Sequence, residues 1–467
     1  MGNTKITVTQ YPASEEDDLL YLGGIHAKRL GLASGMALIL RFGTAVRRLR
    51  LRVEPKSAAF RLHPSVTAAL GLSSGAILCL RHQVADHTLV LGPLLGVLLR
   101  KIGTQAERPF GNVTGFCREL TEAGKKLGAM VYFFSADRLP AGSAASISGW
   151  TYAGGAWKAG SFPYPDAVYN RITSRVIEQS PQVQQFFQTF KAKAGGTLFN
   201  ERYLDKAEVF QALKKEEAVR GYLPESYLYK DQAMLKRMLS KHPVLFLKPI
   251  FSSLGKGIIR VRRGSGGYVC HTAGSNGKVK QAVYSGQPAL TKHLSAQMAG
   301  RRYLIQEGID LIKVDGLSTD FRALTQRNDT GQWDVTSIVA RISASNTFVS
   351  NLARGGKLTS VKDAIARSNL AAPLHAAAIA RLRKAALDIA QAVEKKIAAH
   401  FAELGIDLAV DTQGRVLLLE INSKPSKDDN TPLGADEPPA TAAADGPVKV
   451  RPSVRRVIQY VKHLGKF

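Results

Sequence analysis

From Arg48 to Val53 apolar and cationic positions alternate without a break. Leu49, Leu51 and Val53 fall on one face, and Arg48, Arg50 and Arg52 on the other. Period two is the mark of a strand with one covered face. The surrounding stretch repeats itself. Leu30-Gly31-Leu32-Ala33-Ser34-Gly35 precedes MALILRF, and 40 residues later Leu70-Gly71-Leu72-Ser73-Ser74-Gly75 precedes AILCLRH. Each copy reads as a short helix closed at a glycine turn and followed by a buried strand. The arginine row is either a surface for phosphates or an ordinary solvated strand face.

The period changes from Leu94 onward. LGVLLR from Leu95 reads as a buried strand, GNVTGFCRELTEAGKKLG as a helix starting near Asn112 or Thr114, and AMVYFFS as the next strand. Short βαβ units of this kind build a parallel sheet. Gly154 to Pro165, rich in glycine, proline and aromatics, reads as a loop, and helical segments dominate from Asn200 to Leu247. After Pro373 the spacing of Leu382, Ala386, Ile389, Val393 and Ile397 predicts a long helix stopped by Gly405. The strands IDLAV and RVLLLEIN then follow, joined at Asp411-Thr412-Gln413-Gly414. Residues 427–447 read as a flexible excursion, and the amphipathic PSVRRVIQYVKHL as a helix docking back on the body.

Composition narrows the picture. With 45% hydrophobic residues the 467-residue chain has material for several cores, which excludes a disordered basic chain. The N-terminus lacks an apolar signal region, and the most apolar stretch, Leu89 to Leu99, is too short to span a membrane. A cytoplasmic location is expected. Cys79, Cys117 and Cys270 show neither CxxC spacing nor an even number, so a disulfide or structural zinc framework is not expected. A net charge of +27 favours a polyanionic partner without choosing one.

Two features carry chemistry. Phe246-Leu247-Lys248-Pro249 ends a strand in a lysine, followed by Ser252-Ser253-Leu254-Gly255-Lys256-Gly257 and a second strand. Small residues let backbone N–H groups approach a triphosphate, although a hairpin turn would look the same. The second feature is sharper: Asp407, then Glu420 13 residues on, then Asn422. On adjacent antiparallel strands these converge as a hard oxygen site suited to Mg²⁺ or Mn²⁺. Glu420 directly follows Val416-Leu417-Leu418-Leu419, where an unpaired charge would be costly.

These segments, in this order, resemble the ATP-grasp carboxylate–amine ligases. The matching residues are Lys206 in NERYLDK, Lys248 with its glycine loop, the hinge Ile305-Gln306-Glu307-Gly308-Ile309, then Asp407, Glu420 and Asn422. Asp320-Phe321-Arg322, Arg341 and Ser350-Asn351-Leu352-Ala353-Arg354-Gly355-Gly356 resemble segments of the RimK and glutathione-synthetase branch. The whole chain is similar to the YheC/YheD family of endospore coat-associated proteins, which join such a module to an N-terminal β-domain. The duplicated N-terminal segment itself resembles a double-psi β-barrel.

The resemblance implies an α+β chain with four parts: an N-terminal β-barrel-like domain (1–92), a Rossmann-like region (93–195), and the two ATP-grasp subdomains (196–304 and 305–467). It further implies that Lys206, Lys248 and the loop residues Ser252, Ser253, Gly255, Lys256 and Gly257 hold the phosphates of ATP. The hinge at Gln306, Glu307 and Ile309 would read adenine, with Asp310 or Asp320 near the ribose. Asp407, Glu420 and Asn422 would hold the metal, Arg322, Arg341 and Asn351 would serve the transferring phosphoryl group, and Arg354 lies in the same loop. One departure stands out: Asn422-Ser423-Lys424-Pro425 continues into Ser426-Lys427 instead of the frequent Asn-x-x-Pro-Gly, which sets the acceptor end apart.

The implied activity joins a small-molecule or peptide carboxylate to an amine or thiol through an acyl phosphate, with spore-coat association. Two other readings compete: an ATP-binding coat scaffold without turnover, and a basic polyanion or nucleic-acid binder. The intact lysine and metal set separates the first from a silent scaffold, and the lack of RRM, KH, zinc-finger or HTH signatures weakens the last.

Overall fold

The computed structural model describes residues 4–140, 144–193, 195–251, 257–274, 279–344, 356–426 and 448–467. The first seven strands close into a barrel. Its duplication is visible in the backbone. Leu19–Gly23 runs antiparallel to Phe60–Leu62 with Leu20 opposite Leu62 and Leu22 opposite Phe60. A shift of 40 residues exchanges these partners, so an approximate two-fold axis passes beside Tyr21 and Arg61. Gly31 and Gly71 both sit at φ +67°, where a side chain would cost about 1 kcal/mol. The Gly35 N–H donates to Leu51 C=O and the Gly75 N–H to Val8 C=O, both at 2.8 Å. The repeated hexapeptide is thus the turn of each half-barrel.

The arginine row lies on the outer face, as the alternation requires, with Leu49 and Leu51 buried beneath it. Arg48 is exposed, Arg50 is paired with Asp18 and Glu16, and Arg52 lies over the Tyr21 ring. Part of the row is therefore neutralised within the barrel itself.

One apolar cluster runs from Val8, Leu20 and Phe60 inside the barrel to Leu98, Phe134, Phe190 and Leu198 beyond it. Cross-links reinforce it: Cys79 N–H donates to Gly128 C=O (2.8 Å) and Thr44 N–H to Tyr164 C=O (3.0 Å). The barrel is therefore not free of its neighbour. A chain starting near Leu91 would bare that apolar face and is expected to aggregate or lose its cooperative unfolding transition, as calorimetry and sedimentation would show. A monodisperse, cooperatively folding truncation would refute this.

The second sheet orders Ala156–Pro163, Ser146–Ala153, Met130–Ser135, Leu94–Leu99, Ala167–Asn170 and Thr197–Phe199. Its last four strands are parallel, and helix Thr114–Leu127 connects the first pair. The segment expected to be a loop, 154–165, is instead the turn and second strand of a hairpin. Gly154 and Gly155, at φ +60° and +79°, make the primed two-residue turn that a hairpin favours. The closing helix Pro452–Leu464 docks as expected, burying Val454, Ile458 and Val461, with Arg451 paired to Glu119 at 2.6 Å.

Two further antiparallel sheets face the chemistry. One orders Ser226–Leu228, Tyr303–Glu307, Val244–Pro249, Ile259–Gly264, Gly267–Ala273 and Val279–Tyr284. The other runs Lys357–Ser360, Trp333–Ile342, Leu317–Arg327, Glu403–Val410 and Val416–Asn422. Helix His375–Lys396 packs on the latter through Leu382, Ala386, Ile389 and Val393. Gly405 does not stop that helix, which ends at Lys396; it lies inside the Glu403–Val410 strand. A Cβ there would stand 2.9 Å from that of Pro425, so close approach explains this glycine. Among the described residues no helix is long and apolar enough to cross a membrane.

Candidate active site

The turn at Asp411 sets the register of the last two strands. Its carboxylate accepts from the N–H groups of Gln413 (3.0 Å) and Arg415 (2.8 Å), and Gly414 supplies φ +76°. Asp407 then stands opposite Glu420, and Gly405 opposite Asn422, with a bulge just after Asp407. Since side chains alternate along a strand, Glu420 and Asn422 share one face with Asp407. The three expected metal ligands are brought to one face.

Lys206 opens helix Lys206–Leu213, which Asp205 caps by accepting from Ala207 N–H at 2.7 Å. This cap aims the lysine across the sheet edge, where its Nζ lies 3.0 Å from Glu420 Oε1. Lys248 projects from Val244–Pro249 and donates to Gln306 Oε1, while the Gln306 amide donates to Ser226 Oγ at 2.9 Å. Burial pushes the Lys248 ammonium down to about 8; Glu420 opposes this and Lys206 adds to it. The two lysines and Glu420 therefore share one electrostatic neighbourhood.

Arg322 is the direct cross-strand partner of Asp407, and Arg341 of Asp320. Arg322 Nε donates to Asp407 Oδ1, and its terminal nitrogen to Oδ2 at 3.0 Å. Arg341 donates to Asp320 Oδ1 at 2.6 Å and lies 3.1 Å from Asp407 Oδ2. All four side chains are buried. Burial disfavours the Asp407 charge, but the two guanidiniums outweigh it and hold the carboxyl below the usual range. Asp320, one of two acids considered for a ribose, is instead the counter-ion of Arg341. The other, Asp310, accepts from Thr412 N–H at 3.2 Å through its carbonyl.

At the hinge, the Glu307 carboxylate accepts from Glu225 N–H at 2.9 Å and faces His242 Nδ1 at 3.4 Å. Glu225, His242 and Glu307 are spaced closely enough to hold a cation. However, His242 turns one ring nitrogen to each carboxylate and Lys241 already pairs with Glu225, which makes this an ion-paired brace. Gly257, at φ +72°, donates to Ala273 C=O at 2.9 Å. Val244–Pro249 and Ile259–Gly264 are antiparallel neighbours, so the glycine loop joins two strands of one sheet. Ser252, Ser253, Gly255, Lys256, Asn351 and Arg354 lie outside the described residues.

The sequence reading missed the floor of the site. Asn170 ends the buried parallel strand Ala167–Asn170 and Arg171 follows it, at the carboxyl end where open α/β sheets place ligands. Arg171 pairs with Glu403, and Lys424 with Glu178. Burial pushes Lys424 down to about 8, against the pull of Glu178. A run of polar residues immediately after an apolar strand was the available signal.

A family model described as YheC/D-like ATP-grasp matches residues 195–464. The chain is 28% identical over 397 residues to endospore coat-associated protein YheD of Bacillus subtilis (strain 168), covering 83% of this chain and 84% of that protein. It is 22% identical over 276 residues to YheC of the same organism, covering 58% and 73%. Among solved structures it is similar to the ATP-grasp ligase PsnB complexed with minimal precursor (12% identity, 72% of this chain and 92% of that one, TM-score 0.39). It is also similar to D-alanyl-alanine synthetase A of Vibrio cholerae O1 biovar eltor (11%, 71% and 89%, TM-score 0.41). With the match spanning more than half of its length, the chain belongs to the YheC/D-like ATP-grasp family.

Proposed function

We propose that the chain is an ATP-dependent ligase that activates a carboxylate as an acyl phosphate and passes it to an amine. The observation that carries this reading is the meeting of Lys206 Nζ with Glu420 at 3.0 Å, beside Asp407 and within reach of Lys248. Cations suited to phosphates and oxygens suited to a metal thus stand in one electrostatic neighbourhood. In the reaction a carboxylate oxygen attacks the γ-phosphorus and the bond to ADP breaks. The amine nitrogen then attacks the acyl carbon, phosphate leaves, and the nitrogen loses a proton.

The donor set fits Mg²⁺. Two carboxylates and an amide oxygen are hard ligands, and Asp407 Oδ1, holding one arginine bond, keeps an acceptor direction. Bound there, Mg²⁺ would neutralise charge between the β- and γ-phosphates. Lys206 and Lys248 would hold phosphate oxygens, and Arg322 and Arg341 would sit where charge grows during transfer. Among the described residues the Ile309 N–H makes no hydrogen bond, which supports a role at the adenine edge. The relatives' names favour a protein associated with the endospore coat.

ATP-to-ADP conversion across pools of amino acids and short peptides, with hydroxylamine to trap acyl phosphates, tests the reading. Hydroxamate with stoichiometric ADP supports it. ATP binding without any conversion would favour a silent scaffold.

A pH prediction accompanies it. Lys248 sits near 8, below an ordinary lysine, so raising the pH through about 8 discharges the cation expected to meet phosphate. Mg·ATP affinity should fall above that pH, with proton uptake on binding near pH 8–9. For stability the sign is opposite: the unfolded lysine keeps its proton longer, so this residue's penalty eases as pH rises. Calorimetry in buffers of differing ionisation enthalpy reads the uptake, and Lys248→Met should abolish it.

A further inference from the structure

Among the described residues, one cation at the floor of the site forms no ion pair. Arg171 faces Glu403, Lys206 faces Glu420, and Lys424 faces Glu178. Glu178 is fully engaged: Oε1 takes Asn170 (2.9 Å) and Lys424, and Oε2 takes the Tyr203 N–H (2.8 Å). Arg175, at the start of the turn Arg175–Glu178, forms no ion pair among the described residues. It donates one bond, to Leu204 C=O at 2.8 Å, and lies over the Tyr203 ring at 4.6 Å. The Lys424 ammonium lies 4.7 Å from that same ring.

The position ties this guanidinium to the metal-type edge. Leu204, which accepts from Arg175, donates its own N–H to Ser423 Oγ at 3.2 Å. Ser423 directly follows Asn422, and Lys206 lies two residues beyond Leu204. Burial pulls the Arg175 pKa down, while Tyr203, Glu178, Asp205 and Glu420 push back. Glu420 is therefore close enough to be felt.

We infer that Arg175, backed by Tyr203, holds the carboxylate of the acid to be activated. This rests on the ligase reading. A guanidinium has five donors, and Arg175 spends one on backbone, so a planar carboxylate can take a bidentate pair. The aromatic ring keeps the fork in plane at little entropic cost. Its neighbours at the floor, Arg171 and Lys424, are already paired with Glu403 and Glu178, so Arg175 adds a single positive charge there and suits a single carboxylate. It comes from the turn after the parallel sheet, whereas Lys206 and Lys248 come from a helix and from another sheet, so it can approach a ligand from a different element.

The test uses the full chain with Mg·ADP and a panel of twenty amino acids, short peptides and succinate. Glycinamide and alaninamide serve as controls that keep the amine but lack the carboxylate. Thermal shift and calorimetry find the acids that bind, and the amides should not. Arg175→Gln should weaken the binding acid about ten- to hundredfold, the cost of a charge-assisted pair. Arg175→Lys should fall between, and Mg·ADP affinity should be unchanged in both. If Arg175→Gln fails to fold by circular dichroism, Arg175→Lys decides, because it keeps the charge but not the fork. Unchanged acid affinity, or a loss of Mg·ADP affinity instead, overturns the assignment. So does a wild type that binds Mg·ADP but no acid of the panel. A wild type that does not bind Mg·ADP sinks the ligase reading itself.

Discussion

Replacing Glu420 with Gln is expected to weaken Mg·ATP binding by at least about 10–100-fold, the range seen when even a supporting partner of a metal ligand is lost. The side chain stands opposite Asp407 and faces Lys206 at 3.0 Å, so on the proposed reading it would serve the lysine and the metal at once. Gln keeps the shape and an acceptor for Lys206 while removing the charge. Two consequences should be separable. Metal-dependent affinity should collapse, whereas binding of ATP without Mg²⁺ should hold or improve, because Lys206 is released from its carboxylate. Calorimetry with and without the metal reads both. Equal affinities of wild type and variant for Mg·ATP would mean that the metal lies elsewhere.

Much of this site was legible because its logic is local. The interval from Asp407 to Glu420 is two strands and a turn, and the Asp411 and Gly414 turn chemistry fixes the register that makes the two carboxylates face each other. The half-barrel repeat was legible for the same reason, since only glycine sits easily at φ +67°. What escaped was long-range. Gly405 looked like a helix stop because nothing nearby reveals that Pro425 presses on it. The sequence marks the barrel only as a domain over 1–92, because its shared apolar cluster joins residues more than a hundred positions apart, such as Val8 and Phe190. Gly154-Gly155 carried hairpin chemistry, but the surrounding glycines and aromatics masked the alternation on either side.

The arginine pairs show the same limit with a functional cost. Arg322 and Arg341 were expected to await a phosphoryl group, and both are instead buried against Asp407 and Asp320. Asp407 is thus counter-ion to both arginines, and as the proposed metal ligand it would carry a second role. A pairing of this kind holds both guanidiniums in fixed positions without exposing them to solvent. The charge excess of the chain plays little part here, since the site's own cations are matched almost one for one by carboxylates.

Arg341→Gln should therefore do two things. It breaks a buried ion network, so a stability loss of about 3–5 kcal/mol is expected. On the proposed role it also removes a donor for the charge that grows during transfer, so kcat should fall by about 10²–10³ with Mg·ATP affinity much less affected. The pH dependence of the stability loss identifies its source. In the wild type Asp407 is held below the usual carboxylate range, so its contribution is present at neutral pH and lost only as pH falls through that low value. Without Arg341, Asp320 and Asp407 crowd one remaining guanidinium in a buried place, and their pKa values should rise. The deficit should then shrink on acidification from pH 8 to pH 5, as chemical denaturation would show. A double replacement, Arg341→Gln with Asp320→Asn, removes the stranded carboxylate and should recover much of the stability. Turnover should not recover with it, because the donor is still missing. If the double variant regained both, Arg341 would be a structural counter-ion alone, and the phosphoryl charge would have to be met by Arg322 and the two lysines.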